Sequence, residues 1–134
     1  MKKIIFLSVC AGCAIICFSF IPDGKKTWNA PPSSASKTNP QKTISTESIS
    51  DGKALYAKHC QSCHGKSGKG DGTKAFELKT EPGDFSKSIF QSQSDGAIFY
   101  KISEGRDDMP SFRKKIADAN DIWNIVNYVR TLKK

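Results

Sequence analysis

Hydrophobic and polar residues divide the chain into three parts. Residues 1–21 include eighteen consecutive positions without a charged side chain. Residues 22–49 are rich in Pro, Ser, Thr, Asn and Lys and contain little that a core could bury. From residue 50 to residue 134, apolar side chains recur at helical spacing between loops that contain glycine and proline. The pattern predicts an N-terminal apolar segment, a linker and one folded domain.

Three segments of the domain have the pattern of helices. Ser50 is a candidate N-cap for the first helix, on which Gly52 and Tyr56 share one face. A second helix is predicted between residues 94 and 105, and a third, amphipathic one within residues 118–134. No stretch alternates as a half-buried strand does, so we predict an all-α domain.

The apolar segment is long enough to cross a membrane. Eighteen helical residues span about 27 Å, close to the roughly 30 Å of bilayer hydrocarbon. Because no small-x-small pattern marks a cleavage site, we expect residues 1–21 to be an uncleaved membrane anchor. Two alternatives stay open: a cleaved signal peptide, and a lipoprotein signal with lipidation at Cys13.

The composition of residues 22–49 predicts a disordered linker. A flexible coil of this length has an end-to-end distance of about 30 Å, so it would hold the domain near the membrane. The domain itself, residues 50–134, is small and short of apolar residues. Domains of this size usually need a disulfide, a metal or another group to stabilise them.

The chain is basic, with a formal net charge of +8. Residues 50–134 contain 15 Lys and Arg against 11 Asp and Glu, so about half of the excess lies in the domain. Such a balance suits anionic lipid or an acidic protein partner. Nucleic acid is not an expected partner, because aromatic and basic residues do not interleave as a stacking surface requires.

Two of the five cysteines stand in the domain, as the motif C-x-x-C-H formed by Cys60, Cys63 and His64. A structural zinc site needs four ligands, usually from two motifs, and only one motif is present. His59 does not complete it, because it would lie about 140° around a helix from His64. A thiol redox couple needs its cysteine at a helix N-terminus, whereas Cys60 follows the first predicted helix.

The motif favours covalently attached haem. In such sites two thiols add to the vinyl groups of the macrocycle and the adjacent histidine ligates the iron. A buried haem would also supply the missing core. For the opposite side of the iron, Met109 is the only methionine besides the initiator, and it lies in a polar loop before Pro110. Proline favours an extended backbone that can project this side chain, although a lone methionine is otherwise most often a core residue.

Six segments carry a family resemblance, in the order GKALYAKHCQSCHG, GKGDG, GDF, DGAIFYKISEG, MPSF and IWNIVNYVRTL. Together they make residues 50–134 resemble a class I cytochrome c, especially the monohaem bacterial modules of cbb3-type oxidase subunits. The resemblance implies a small fold of three to five helices around one haem c. It also implies thioether links from Cys60 and Cys63 and axial ligation of the iron by His64 and Met109.

In that family the first and last helices cross. The resemblance places Gly52 and Tyr56 of the first helix against Ile125 and Tyr128 of the last. Glycine lets two helices approach closely, and the aromatic rings fill the crossing.

The resemblance implies an electron carrier rather than an enzyme. It would shuttle electrons between respiratory complexes, such as a quinol-oxidising complex and a terminal oxidase, on the extracytoplasmic side of the membrane. The alternatives are a subunit of a larger oxidase or reductase and, less favoured, a haem sensor or peroxidase with a labile Met109. Candidate lysines for steering a redox partner are Lys58, Lys66, Lys69, Lys114 and Lys115.

Overall fold

The computed structural model describes residues 28–41 and 44–134. The predicted anchor, residues 1–21, lies outside the described residues. Within the described part, six α-helices are joined by loops, and the only β pairing is one isolated bridge. The helices are α1 (Pro32–Ala35), α2 (Thr46–His59), α3 (Gln61–His64), α4 (Ser88–Gln91), α5 (Asp95–Glu104) and α6 (Ala119–Arg130), with a 3₁₀ turn at Ala75–Glu77.

The crossing of α2 and α6 forms the centre of the fold. A Cβ atom built on Gly52 would lie 1.9 Å from the carbonyl oxygen of Asn124, so only glycine fits there. The rings of Tyr56 and Tyr128 meet at the crossing with 5.2 Å between their centroids. Ile125 is buried beside them. The predicted crossing of the first and last helices is therefore present.

Helix α5 packs beside this crossing and contacts α6 at its start and in its middle. Its N-cap, Ser94, accepts a hydrogen bond from the Ala97 amide. Phe99 stacks on Trp123 of α6 with 4.3 Å between ring centroids. Near its start, Asp95 accepts hydrogen bonds from the guanidinium of Arg130 at the end of α6. The second and third predicted helices correspond to α5 and α6.

The N-terminal boundary of the domain differs from the prediction. Helix α2 begins at Thr46 and not after Ser50, because Ser45 is its N-cap and accepts a hydrogen bond from the Ser48 amide. Residues 28–41, predicted to be disordered, lie against the domain and include α1. Their polar side chains find partners on α6, which composition alone does not reveal. No helix among the described residues is long and apolar enough to cross a bilayer.

Candidate functional site

The C-x-x-C-H motif lies where α2 ends and α3 begins. Cys60 closes α2 with a hydrogen bond from its amide to the Tyr56 carbonyl, 2.8 Å long. Cys63 and His64 lie on the single turn of α3, and the amides of both donate to the Cys60 carbonyl. Gly65 ends the turn with φ 78°, a conformation that favours glycine. The motif is thus a tight, hydrogen-bonded corner with both thiols free.

The loop after this corner folds back over it. The amides of Gly70, Gly72 and Lys74 donate to the carbonyls of His64, Cys63 and Ser62, with distances of 2.9, 3.2 and 2.8 Å. These carbonyls at the end of α3 would otherwise lack partners. A Cβ built on Gly72 would lie 2.3 Å from the Ser62 carbonyl oxygen, so the return path requires glycine. The GKGDG segment of the sequence therefore braces the motif.

His64 is held by aromatic stacking. Its imidazole stacks on Phe85 with 4.5 Å between ring centroids, and Phe85 stacks in turn on Phe90 at 4.3 Å. Burial lowers the pKa of His64 to about 4, and the nearby Gly83 carbonyl opposes that shift only in part. Nδ1 is buried and has no hydrogen bond of ordinary geometry. The ring is therefore a neutral imidazole in a fixed orientation, which is the form that ligates metals.

The two cysteines differ in surroundings from a redox couple. Burial, and then the charge of Cys63, raises the pKa of the Cys60 thiol to about 12. A thiol that stays protonated is a poor nucleophile for disulfide exchange. Among the described residues, no three His, Cys, Asp or Glu side chains converge as ligands for a metal ion. These surroundings thus favour neither a thiol redox couple nor a structural zinc site.

Met109 comes from the loop between α5 and α6. Gly105 ends α5 with φ 67°, and a Cβ there would lie 2.4 Å from the Met109 carbonyl oxygen. Arg106 and Met109 then exchange two backbone hydrogen bonds of 2.8 and 2.9 Å across a turn at Asp107, which has φ 53°. This turn directs the Met109 side chain against the core residues and into the cavities next to them.

One cavity of about 470 Å³ is lined by Cys60, Cys63, His64 and Met109 together. A second cavity of about 220 Å³ shares three of these residues and adds apolar side chains such as Phe85. The C-x-x-C-H motif and Met109, which are distant from each other in sequence, therefore surround one space. A large planar group fits this setting, because the lining offers two thiols, a half-buried imidazole and a thioether next to apolar side chains such as Leu78 and Phe112, while charged side chains such as Lys58 and Asp108 also line the larger cavity.

Several residues of this site were not predicted from the sequence. Trp28, from the predicted linker, lines both cavities. Asp108 accepts hydrogen bonds from the amides of Lys79 and Thr80, which ties the Met109 loop to the opposite loop. For Trp28, the only signal in the sequence was a single tryptophan in a polar segment. For Asp108, nothing in the local sequence pattern indicated its role.

The predicted steering lysines are all exposed, but only some lie at the site. Lys58 and Lys115 line the larger cavity, and so does Lys74, which was not predicted. The remaining three, Lys66, Lys69 and Lys114, do not line it.

Residues 47–129, more than half of the chain, match the protein family described as "Cytochrome C oxidase, cbb3-type, subunit III". Solved structures give the same fold. The c-type cytochrome KustC0563 is 30% identical with a TM-score of 0.54, and the match covers 63% of this chain and 99% of that one. Cytochrome cL from Methylophaga aminisulfidivorans is 20% identical with a TM-score of 0.53, and the match covers 67% of this chain and 56% of that one. At this identity the likeness supports the fold alone.

A third solved structure is the reducing HAO-like protein complex of Kuenenia stuttgartiensis. Its matching chain is 28% identical with a TM-score of 0.63, and the match covers 69% of this chain. It spans only 46% of the length of that chain. No curated protein matches this sequence. The family and the structures together confirm two predictions, the all-α cytochrome c fold and covalently bound haem c as the cofactor.

Proposed function

The chain belongs to the family of cbb3-type cytochrome c oxidase subunit III domains, and from this we propose that it shuttles electrons between respiratory membrane complexes. Electron transfer by a c-type haem is the chemistry of this family. When bound, the haem supplies one-electron exchange at an iron whose potential the axial ligands tune. The observation that carries the proposal is that Cys60, Cys63, His64 and Met109 line one cavity.

In this proposal each of the four residues has a separate role. Cys60 and Cys63 attach the haem by thioether links, which the short turn between them keeps at a fixed spacing. His64 is one axial ligand, oriented by its stacking on Phe85. Metal-bound histidines usually donate a hydrogen bond from their second nitrogen, and the Gly83 carbonyl near the ring would be the acceptor in this proposal.

Met109 is the second axial ligand in this proposal. The two backbone hydrogen bonds between Arg106 and Met109 fix its backbone, so the side chain would be held in one place toward a bound haem. A soft thioether favours the reduced metal and raises the potential. If His64 and Met109 both ligated the iron, no position would be left for a substrate, which is what an electron carrier requires.

The test is an absorption spectrum together with the intact mass of the mature chain. We expect the ferrous bands of a c-type haem and one haem of added mass. The near-red band of an iron–thioether bond should be present and should disappear in Met109→Ala. An unmodified mass, in cells that contain haem-attachment machinery, would contradict the proposal.

A haem sensor or peroxidase-like enzyme is the second candidate, because Arg106 lines the same cavity as Met109. A labile Met109 would leave an open iron beside that guanidinium. Carbon monoxide distinguishes the two functions. We expect the reduced protein to bind carbon monoxide slowly and weakly at neutral pH, whereas ready binding would favour the second candidate.

The proposal extends to location and partners. We propose an anchor at residues 1–21, a linker over residues 22–49 of which residues 28–41 dock on the domain and residues 46–49 begin α2, and the haem domain on the extracytoplasmic side. Lys58, Lys74 and Lys115 at the cavity rim suit acidic surfaces of a quinol-oxidising complex and a terminal oxidase. The description of the family as an oxidase subunit also supports permanent assembly into such a complex. Purification from membranes in mild detergent separates a free carrier from a subunit.

A further inference from the structure

Residues 28–41 form a segment that we call the N-terminal strap. It lies ahead of residues 47–129, the part of the chain that matches the family. Its short helix α1 packs on α5, where the Ser94 hydroxyl donates to the Ala35 carbonyl over 2.6 Å. A Cβ atom built on Gly96 of α5 would lie 2.5 Å from the Ser34 carbonyl oxygen and 2.6 Å from that of Lys37. The strap is therefore in close backbone contact with α5.

The end of the strap is held by a cluster of amide side chains. Asn39 donates to Asn127 over 2.7 Å, and Gln41 donates to Asn124 over 2.7 Å. In return, Gln41 accepts hydrogen bonds of 2.6 Å from both Asn127 and Ser48. Asn127 is 0% exposed, so it would lose buried hydrogen bonds if the strap left. Docking of the strap is thus coupled to the centre of the fold.

At its beginning the strap reaches the candidate haem site. Trp28 lines both cavities, which it shares with Cys60, His64 and Met109. Two cations hold its indole there. The Lys101 ammonium lies 5.5 Å and the Arg106 guanidinium 4.9 Å from the centroid of the Trp28 ring. The tryptophan therefore has a defined place next to the residues proposed to hold the haem.

We propose that the N-terminal strap forms one wall of the cavity that holds the haem. Trp28 contacts the haem there and raises its reduction potential. This inference rests on the function proposed above. An indole against the haem excludes water from that side, and the Lys101 and Arg106 cations beside the indole oppose the added positive charge of the ferric state. Water would instead stabilise the more charged ferric state, so the strap raises the potential.

Two variants of the full chain, loaded with haem, test the strap from different sides. Trp28→Ala removes the contact itself. Gly96→Ala leaves the helix α5 intact, since alanine is a better helix former than glycine, but its methyl group displaces the strap. We expect the midpoint potential to fall in both, with haem mass and the near-red band unchanged. Trp28→Phe should recover most of the loss.

Phe76→Ala is the matched control, because this aromatic ring is 84% exposed and does not line either cavity. Its potential should equal that of the unmodified chain. If Trp28→Ala and Gly96→Ala also leave the potential unchanged, the proposal is overturned. Absence of haem mass from the unmodified chain would contradict the proposed function instead, so the two failures are distinguishable.

A second measurement detects the contact directly in the unmodified chain. In the ferrous protein, the NMR signals of a tryptophan beside the haem are displaced by its ring current. The chain contains only two tryptophans, Trp28 and Trp123, so comparison with Trp28→Phe assigns them. Displaced Trp28 signals support the contact, and signals at the positions of an exposed indole contradict it.

Discussion

Two regions of the domain differ in what fills their interior. In α6, every residue from 122 to 129 is buried against α2 and α5. From residue 60 to residue 87, by contrast, only Gly65 and Gly68 are buried, and neither has a side chain. We refer to α2 and α6 as the crossing region and to residues 60–87 with the loop 105–115 as the cavity region. The first makes its own core, whereas the second is arranged around a space.

The difference indicates how the fold depends on its cofactor. Side chains that interdigitate stabilise the crossing region without any added group. The cavity region is held mainly by backbone hydrogen bonds such as that from Phe85 to Gly68, 2.7 Å long. Such bonds contribute little to stability unless something shields them from water. Haem in the cavity would provide the apolar surface that this region lacks.

The largest expected effect comes from removing the attachment. Cys60→Ala with Cys63→Ala should abolish covalent haem, and the cavity region should lose amide protection in hydrogen exchange far more than the crossing region does. The control is Ser62→Ala, which lies between the two cysteines and leaves both thiols in place. Full protection of residues 60–87 in the double variant would show that the cavity region folds without haem.

A substitution in the crossing region should act on stability and not on the haem. The methyl group of Gly52→Ala would meet the Asn124 carbonyl at 1.9 Å and the Tyr128 Cβ at 3.0 Å, so the helices must separate. Overpacking of this kind costs about 1 to 3 kcal/mol of unfolding free energy. Urea unfolding measures it, with the exposed Lys53→Ala in the same helix as the control. An unchanged midpoint would mean that the helices do not cross at Gly52.

A smaller effect is expected where the two regions are joined. The buried Tyr56 hydroxyl donates to the Gly65 carbonyl over 2.7 Å, and burial raises the pKa of Tyr56 far above its ordinary value. Tyr56→Phe keeps the ring of the crossing but removes this bond, at a cost of about 1 kcal/mol for the lost hydrogen bond. Exchange at residues 65–70 should rise while exchange in α6 stays unchanged. Equal increases in the exchange rates of residues 65–70 and of α6 would contradict the distinction between the cavity region and the crossing region.

The smallest effect is expected at the rim of the cavity. Lys115→Gln removes one exposed charge, so the association rate with an acidic redox partner should fall modestly at low ionic strength and recover in salt. Lys66→Gln, away from the cavity, is the matched control. Stopped-flow reduction kinetics measure both rates. Equal effects of the two substitutions would mean that docking does not use the cavity rim.

Local signals in the sequence predicted much of this fold. Helix α5 has Ser94 before it and Gly105 after it, so its limits could be predicted closely, and the Gly52 pattern indicated the crossing. The start of α2 was missed because Ser45 and Ser50 are both plausible N-caps, and the choice depends on tertiary contacts of Ser48. The packing of residues 28–41 on the domain was not predicted either, because it also depends on tertiary contacts.

For the site, the motif and the lone methionine predicted the four residues that line one cavity. The sequence could not show that Asp108 ties two loops together or that Trp28 reaches the cavity, because both depend on contacts across more than 25 residues of chain.

The central claim, that the cavity is organised around a haem held by Cys60 and Cys63, can be tested on one peptide. Trypsin cleaves after Lys58 and after Lys66, which releases residues 59–66 with the complete motif. Mass spectrometry of the mature protein should find this peptide with one haem added and with both cysteines resistant to alkylation. The same peptide without haem and with two alkylated cysteines, from cells that attach haem to other proteins, would contradict the claim.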